Sequence, residues 1–388
     1  MRQPIHIALI RQRYTAFGGA ERFVARAMGA LREQGAELTV VTRRWDDQSG
    51  TPALVCNPFY LGSLWRDMGF ARCVCARVQP QAFDLVQSHE RIACCDIYRA
   101  GDGVHREWLR QRSRTLGALK RLAIAVNPYH RYTLAAERAL FTSPRLKAVI
   151  CNSRMVRDEI MQHFGLPQTK LHVIYSGVDT DQFHPGLRHA HRDGVRARYG
   201  IPPDAPLFLF VGSGFERKGV PALLSAMQAI PGEAHLLIVG RDKKLAAFQR
   251  KGQNIAAGRV HFTGPQPDPK PFYGAADAFV LPTLYDPFPN VALEAMAAGL
   301  PVVTSYKSGA AELIRDGENG FVCDALDHER LATSMRRLCA RATARQMGEA
   351  ARHTVEPLTL DAMGEKLLNL YEELLAASRR PCVPMHAA

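Results

Sequence analysis

Short apolar runs alternate with amphipathic segments along the whole chain, and this alternation is the main structural signal of the sequence. In the first half, four apolar runs are typical of β-strands, at residues 5–10, 38–42, 85–89 and 148–151. Between the first two runs, residues 19–34 place apolar side chains at helical spacing and stop before a glycine. Strands separated by helices predict a parallel sheet that is covered on both faces.

The second half of the chain repeats this rhythm. Strands are predicted at residues 207–211, 235–239, 260–262, 278–281 and 302–305, with a helix at 220–228. The sequence therefore predicts an α/β fold with two doubly wound, Rossmann-like domains that face each other across a cleft. The predicted boundaries are an N-terminal domain at 1–180, a linker at 181–206, a second domain at 207–357, a final helix at 358–379 and a disordered tail at 380–388.

Length and composition agree with two soluble domains. The chain has 388 residues, 47% of them hydrophobic and 22% charged, which is enough for two domains with separate cores. We find no run of about 20 apolar residues that would span a bilayer. The first residues contain only a short apolar run, so we expect a first strand rather than a signal peptide, and a cytoplasmic protein.

Cysteines and histidines change this picture little. The nine cysteines include the closely spaced Cys73/Cys75 and Cys94/Cys95, and no C-x-x-C occurs. Since no export signal is predicted, we expect reduced thiols rather than a disulfide framework. The 14 histidines form no H-E-x-x-H pattern, so no metal site is expected.

The formal net charge of +13 favours binding to an anionic partner. Seven basic residues lie between 106 and 131 against one acid, Glu107, and apolar side chains are interleaved with them. Residues 105–131 therefore suggest contact with an anionic membrane surface. The same pattern is also typical of a solvated helix face, or of an acceptor groove for a phosphorylated substrate. Nucleic acid is disfavoured, because no recognised nucleic-acid motif accompanies the charge.

The most specific phosphate-binding signal follows the predicted strand 207–211. Gly212-Ser213-Gly214 come directly after this strand, and Arg217 and Lys218 follow within a turn. Glycines let the backbone approach a ligand, and two adjacent cations can bind a diphosphate. The glycine spacing does not fit a dinucleotide fingerprint, and no Lys-Ser/Thr pair completes a P-loop.

Residues 276–303 add hydroxyl-binding chemistry. Asp286 and Glu294, eight positions apart, bracket a proline-rich loop and the start of a helix that Asn290 is predicted to cap. Helix N-termini favour anions, while carboxylates accept hydrogen bonds from hydroxyl groups. A nucleotide sugar combines phosphates with hydroxyls and therefore fits this mixture. A second, weaker signal is Gly18-Gly19, which precedes the amphipathic helix of the first half.

Together these motifs resemble a retaining family-four glycosyltransferase of GT-B architecture. The resemblance runs through FGGAER, VICNSRMVRDEI, VIYSGVDTDQFHP, VGSGFERKGV, EAMAAGLPVV and GAAELIRDGENGFV in that order. Within the family, the chain is most similar to the enzymes that add glucose to a heptose of the lipopolysaccharide inner core. VGSGFERKGV, the basic segment after Asp102 and the AERALF run carry this narrower match.

The resemblance implies residue roles. The family pattern Glu-x7-Glu places Glu294 at the nucleotide ribose and Asp286, one methylene shorter than the usual Glu, at the donor sugar. Arg217 and Lys218 match the pair that neutralises the departing diphosphate. Further predicted donor-binding residues are Gly18, Gly19, Gly212, Asn290 and Val291. Asp102 and His105 are candidates for contact with the acceptor, although His105 is equally well explained as a structural loop residue.

The expected function is retaining transfer of a hexose, glucose from UDP-glucose in the first instance, to a glycan or lipopolysaccharide-core acceptor. The resemblance implies no metal and no other cofactor. We expect the enzyme in the cytoplasm, peripherally on the inner face of the membrane. Two alternatives stay open: an acceptor belonging to another polysaccharide or lipid-linked glycan, and a non-catalytic sugar-nucleotide-binding protein of the same fold.

Overall fold

The computed structural model describes residues 5–13, 36–45, 52–79, 82–230 and 232–379. Within these residues, seven parallel strands form the sheet of the first domain in the order β3-β2-β1-β4-β5-β6-β7. The strands are β1 (His6–Ile10), β2 (Glu37–Thr42), β3 (Ala53–Val55), β4 (Leu85–Ser88), β5 (Ile97–Arg99), β6 (Ala148–Cys151) and β7 (Leu171–Val173). β3, β5 and β7 have only three residues each, too short for the periodicity of the sequence to reveal them.

Five described helices accompany this sheet. They are α1 (Gly62–Arg77), α2 (His105–Ser113), α3 (Ala118–Val126), α4 (Pro128–Phe141) and α5 (Arg154–Phe164). One core lies between the sheet and helices α1, α4 and α5, and it contains Phe70, Val74, Leu140 and Ile160. The predicted helix at residues 19–34 lies outside the described residues.

Six parallel strands form the second sheet in the order β10-β9-β8-β11-β12-β13. They are β8 (Leu207–Val211), β9 (His235–Val239), β10 (Val260–Gly264), β11 (Ala278–Leu281), β12 (Val302–Ser305) and β13 (Gly320–Cys323). The accompanying helices are α6 (Leu187–Arg198), α7 (Val220–Ala229), α8 (Leu245–Ile255), α9 (Lys270–Ala275), α10 (Asn290–Ala297), α11 (His328–Leu338) and α12 (Arg341–Val355). A last helix, α13 (Leu360–Arg379), follows them in the chain. β8, β9 and β11 are buried on both faces, as a covered parallel sheet requires. The prediction of two doubly wound α/β domains is confirmed.

The prediction of a linker at 181–206 is wrong for the central part of this segment, because α6 lies there and packs against the second domain. Three arginines of α6, Arg188, Arg192 and Arg196, donate to the carboxylate of Asp277 at 2.7–2.9 Å. Burial opposes the charge of Asp277, but Arg192 and Arg196 outweigh that effect and lower its pKa. The prolines and charges that suggested a linker therefore flank and anchor a docked helix.

The final helix, α13, returns to the first domain. Met363, Leu367, Leu370 and Tyr371 pack on the face of the first sheet opposite to α1, α4 and α5. Tyr371 also donates from its hydroxyl to Gln87 Oε1 at 2.5 Å. The chain crosses between the domains twice, and the two crossings meet where Val178 pairs with Thr359. Residues 380–388, predicted to be disordered, lie outside the described residues.

The expectation of reduced thiols throughout is wrong at one pair, because a disulfide joins Cys75 of α1 to Cys94 in the loop after β4. The short spacing within Cys73/Cys75 and Cys94/Cys95 argued only against bridges inside each pair. The fold brings one cysteine of each pair together, with a Cα–Cα distance of 5.6 Å, which is ordinary for a disulfide. Cys56, Cys73, Cys95, Cys151, Cys323 and Cys339 are free thiols.

Candidate active site

A cleft of about 1000 Å³ separates the two domains at the carboxyl ends of their strands. This is where ligands bind in doubly wound folds. The second domain contributes seven of the predicted site residues to its lining: Gly212, Arg217, Lys218, Asp286, Asn290, Val291 and Glu294. The first domain contributes Arg99, Gly101 and Asn152. The structure therefore brings together residues that are up to about 80 positions apart in the second half of the sequence.

The turn after β8 places the two cations. Gly219 has φ +83°, and a Cβ at this position would overlap the carbonyl of Pro282, so the turn requires glycine. Thr283 and Leu284 donate to the carbonyl of Arg217 at 3.0 and 2.8 Å. Arg217 in turn donates from Nη1 to the carbonyl of Tyr285 at 3.0 Å. These bonds fix the Arg217-Lys218 turn against the loop that carries Asp286.

Asp286 lies at the centre of the second-domain wall. Its carboxylate, only 9% exposed, accepts from Lys218 Nζ, and Arg217 Nη1 is 3.9 Å away. Its backbone is fixed as well, because its N–H donates to the carbonyl of Lys307 and its carbonyl accepts from Gly309 N, both at 2.9 Å. The shorter carboxylate at this position is therefore paired with the two cations predicted to bind the diphosphate.

Glu294 is buried in the first turns of α10. Tyr273 donates from its hydroxyl to Glu294 Oε2 at 2.9 Å, which orients the carboxylate at the cleft. The helix begins at Asn290, but the N-cap residue is Pro289 and no side chain caps the helix. The prediction that Asn290 caps α10 is thus wrong by one position. Pro289 occupies the N-cap position with extended backbone. Asn290 is therefore the first residue of the helix, and it lines the cleft.

The opposite wall comes from the ends of β5 and β6. Asn152 is 3% exposed, and its Nδ2 is 3.4 Å from the carbonyl of Gly101. Its Oδ1 is buried, and no hydrogen-bond partner for it lies among the residues that the structure describes. A buried amide oxygen without a partner is costly, so Asn152 offers the cleft an acceptor for a ligand hydroxyl. Reasoning from the sequence missed this residue, whose only signal is its place in VICNSRMVRDEI.

A second cavity of about 440 Å³ lies in the first domain, and Asp102 lines it. Its walls combine charged and aromatic side chains, including Arg11, Arg13, Arg66, Asp67, Glu90, Arg91, Tyr129 and Tyr132. Asp102 is exposed and lies 3.9 Å from Arg91 Nη1. Because Gly101 lines the cleft and Asp102 lines this cavity, one short loop borders both.

His105 is not part of the cleft lining. Its Nε2 lies 3.1 Å from His130 Nδ1, and its backbone N–H donates to Glu137 Oε1 at 2.9 Å. Burial, assisted by Arg91 and His130, lowers the pKa of His105 to about 3. A histidine with that pKa stays neutral at physiological pH, so the structural explanation of His105 fits its surroundings.

Four residues that the sequence reasoning missed connect the domains beside the cleft. Tyr285 of the second domain accepts from Val104 N at 2.8 Å and donates to Glu159 Oε2 at 2.7 Å. Lys307 Nζ contacts Glu159 at 2.9 Å and Glu107 at 3.0 Å. Tyr285, Glu159 and Glu107 are all buried. Only the adjacency of Tyr285 to Asp286 could have drawn attention to it.

The basic segment at 105–131 forms α2, α3 and the start of α4. α3 has no buried residue, and Leu119, Leu122 and Val126 are 85%, 62% and 61% exposed. Within the described part of the chain, no helix is long and apolar enough to cross a membrane. α3 thus presents an apolar face to solvent beside a surplus of positive charge.

Two further expectations concern the glycine pair of the first domain and metal binding. Gly18 and Gly19 lie outside the described residues. Over the ranges that the structure covers, no group of three or more His, Cys, Asp or Glu side chains is arranged to hold a metal ion.

This architecture is that of the GT-B glycosyltransferases, and comparisons with known proteins place the chain in that class. Residues 205–341 match the family model "Glycosyl transferases group 1", and residues 17–182 match "Glycosyltransferase Family 4". The two matches do not overlap, and each covers the greater part of one domain. The chain therefore combines one domain of each of these two glycosyltransferase families.

Two curated relatives align along nearly their whole length. The lipopolysaccharide core biosynthesis glycosyltransferase LpsE of Rhizobium meliloti is 26% identical over 93% of this chain and 96% of its own. The lipopolysaccharide glucosyltransferase WaaG of Escherichia coli is 26% identical over 94% and 98%. A crystal structure of WaaG superposes with a TM-score of 0.80 at 24% identity, covering 94% of this chain and 99% of that one. The structure of Anabaena HepE in complex with UDP-glucose superposes with a TM-score of 0.71 at 18% identity over 95% and 100%. The chain is thus a glycosyltransferase related to those of lipopolysaccharide core synthesis.

Proposed function

We propose that the protein transfers glucose, with retention of configuration, from UDP-glucose to a heptose of a lipopolysaccharide core. The observation that carries the proposal is the second-domain wall of the cleft, where Arg217 and Lys218 lie beside the carboxylate of Asp286 and Glu294 lines the same cleft. The names of two full-length relatives support the acceptor class, since both refer to lipopolysaccharide.

The cations act on the leaving group. As the bond between the anomeric carbon and the diphosphate oxygen breaks, both bonding electrons leave with UDP and its negative charge increases. Lys218 and Arg217 stabilise this charge, and such electrostatic stabilisation is often the largest contribution to catalysis. Lys218 Nζ contacts Asp286, so the diphosphate draws the ammonium group from, or shares it with, that carboxylate.

The carboxylates act on hydroxyl groups. Glu294, oriented by Tyr273, accepts hydrogen bonds from the ribose, and Asp286 accepts them from the glucose. Asn152 offers a buried amide oxygen from the opposite wall. The acceptor oxygen forms its bond on the face that the diphosphate leaves, and its proton passes to the departing phosphate oxygen. This route needs no side chain as a strong base, in keeping with the low pKa of His105.

The acceptor occupies the first domain next to Asp102. The cavity there offers carboxylates and arginines for sugar hydroxyls and two tyrosine rings for sugar faces. Asp102 is exposed at the boundary between this cavity and the cleft, where an acceptor hydroxyl would meet the anomeric carbon. This placement keeps Asp102 as the acceptor-contact candidate and assigns His105 a structural role.

The exposed face of α3 brings the enzyme to its acceptor. Leu119, Leu122 and Val126 supply apolar surface, and the surrounding basic residues supply attraction to anionic lipid at about 1 kcal/mol per charge near the surface. Co-sedimentation with vesicles that contain 30% phosphatidylglycerol, against pure phosphatidylcholine, tests this contact. Loss of binding in Leu119→Ser/Leu122→Ser supports it, whereas absence of wild-type binding to the anionic vesicles at low salt rejects it.

A donor screen tests the catalytic proposal. Release of nucleoside diphosphate is measured from UDP-, GDP- and ADP-sugars, with and without lipopolysaccharide truncated to its heptoses. We expect UDP-glucose with the truncated core to give the fastest release and a product one hexose heavier by mass spectrometry. Preference for another nucleotide or sugar overturns the donor assignment. Turnover that the core does not stimulate overturns the acceptor, and absence of all turnover supports a non-catalytic protein.

A further inference from the structure

One phenol links the two walls of the cleft. Tyr285 directly precedes Asp286, yet its side chain crosses to the first domain and is 2% exposed. Its hydroxyl accepts from Val104 N at 2.8 Å and donates to Glu159 Oε2 at 2.7 Å. Burial and the nearby Glu159 raise the pKa of Tyr285 well above its ordinary value, so the hydroxyl keeps its proton and both hydrogen bonds persist across the physiological pH range.

The contact with the first domain is close enough to constrain the backbone there. Gly103 has φ +64°, and a Cβ at this position would overlap the Tyr285 hydroxyl and lie 2.8 Å from Pro287 Cγ. The bond to Val104 N then fixes the residue that precedes α2. The loop between β5 and α2, which carries Asp102, is therefore seated directly on Tyr285.

The contact with the second domain extends to the donor side. Lys307 shares Glu159 with Tyr285 through its Nζ, while its backbone carbonyl accepts from Asp286 N at 2.9 Å. Burial raises the pKa of Glu159 and Lys307 opposes that rise, so a cation and a phenol together satisfy a carboxylate from the other domain. Tyr285, Lys307 and Glu159 thereby fix the position of Asp286 relative to the first domain.

We propose that Tyr285 is a positioning residue for sugar transfer, whose hydroxyl sets the distance between the acceptor loop at Asp102 and the donor carboxylate of Asp286. The proposal rests on the proposed function, because it assigns the two sides of the cleft to acceptor and donor. Tyr285 touches neither substrate. Its effect is on geometry, and a displacement of about 1 Å between reacting groups can slow a reaction about 100-fold.

Tyr285→Phe removes both hydrogen bonds and keeps the ring. We expect the kcat for transfer from UDP-glucose to truncated core to fall at least about 10-fold. The affinity for UDP, measured by calorimetry, should stay within about twofold, because Arg217, Lys218 and Glu294 are unchanged. The rate of UDP-glucose hydrolysis, measured without acceptor, should fall less than the rate of transfer, because the Asp102 loop does not have to position water.

Tyr175→Phe is the matched control. Tyr175 also donates a hydrogen bond across the domains, to Glu312 Oε2 at 2.7 Å. The other described partner of its hydroxyl is Arg154 Nε of α5 at 3.0 Å, which does not belong to the loop that carries Asp102. If Tyr285 serves only to join the domains, the two variants should show the same loss of transfer and the same change in melting temperature. A selective loss of transfer in Tyr285→Phe supports positioning.

Gly103→Ala probes the same contact from the other side. The new methyl group displaces the Tyr285 hydroxyl, so we expect the same lowered ratio of transfer to hydrolysis as in Tyr285→Phe. Normal transfer in both variants, with an active wild type, overturns the positioning role. A wild type that transfers no sugar at all instead rejects the proposed function, which the donor screen detects separately.

Discussion

Replacing Lys218 by alanine separates catalysis from stability at the centre of the cleft. The ammonium group lies against Asp286, and the two side chains are 12% and 9% exposed. In the variant, the Asp286 carboxylate still has the guanidinium of Arg217 at 3.9 Å. The cost to folding should therefore stay at about 1–3 kcal/mol, the range for one unsatisfied buried group, rather than the 3–5 kcal/mol of a fully stranded charge.

The catalytic loss should be much larger. Removing one preorganised group that stabilises developing charge lowers kcat by about 100- to 1000-fold. A protein with about 5 kcal/mol of stability that loses 3 kcal/mol remains more than nine-tenths folded at 25 °C. Unfolding can then explain no more than a small fraction of the lost rate, so the two effects are separable in one purified sample.

The assay is release of UDP from UDP-glucose with truncated core, together with a thermal melt of the same sample. Lys244→Ala is the control, because Lys244 pairs with Glu216 in the same domain while both side chains are about two-thirds exposed. We expect Lys244→Ala to match the wild type in both measurements. A Lys218→Ala protein that keeps more than a tenth of the wild-type kcat would refute the role of Lys218 at the leaving group.

Three further predictions concern ribose binding, pH and the disulfide. Glu294→Gln should weaken UDP binding by about 10- to 150-fold, the equivalent of one hydrogen bond to a charged group, and unchanged binding in calorimetry would contradict its contact with the ribose. Burial lowers the pKa of His235 from its ordinary value of 6.5 to about 4. Between these two values the unfolded chain binds a proton that the folded protein does not, so the free energy of unfolding should fall by about 1.4 kcal/mol per pH unit as the pH drops from about 6.5 to about 4. Urea denaturation across this range should show a shallower dependence in His235→Gln. The Cys75–Cys94 disulfide, with a sequence separation of 19, should contribute about 3 kcal/mol. Denaturation with and without dithiothreitol measures this contribution, with Cys75→Ser insensitive to the reductant and Cys73→Ser behaving as the wild type.

The second domain could be predicted well because each part of its wall is encoded in one continuous stretch. Arg217 and Lys218 follow β8 within a single turn, and Asp286 and Glu294 lie eight positions apart around the start of α10. Strand, turn and helix signals there are local, so these residues stand out in the sequence, and the resemblance to the family implies their roles. Asn290 was assigned the wrong cap position, because Pro289 also satisfies the backbone geometry of a cap.

The first-domain wall and the links between domains could not be predicted in the same way. Arg99 and Asn152 come from the ends of different strands, and Tyr285 meets a glutamate 126 positions earlier in the chain. Such contacts depend on how two sheets face each other, which no local pattern records. The same holds for His105, whose partner His130 arrives from the neighbouring helix.

The return of α13 to the first sheet makes the second domain an insertion within the first, bounded by the crossings at Val178 and Thr359. Excising the first domain on its own would then require residues up to about 178 joined to the segment from about 359 onward, since Met363, Leu367 and Tyr371 complete its core. Exchanging donor specificity with a relative likewise calls for two junctions rather than one. Grafts made at this pair of positions would carry a complete donor wall and leave the acceptor domain covalently whole.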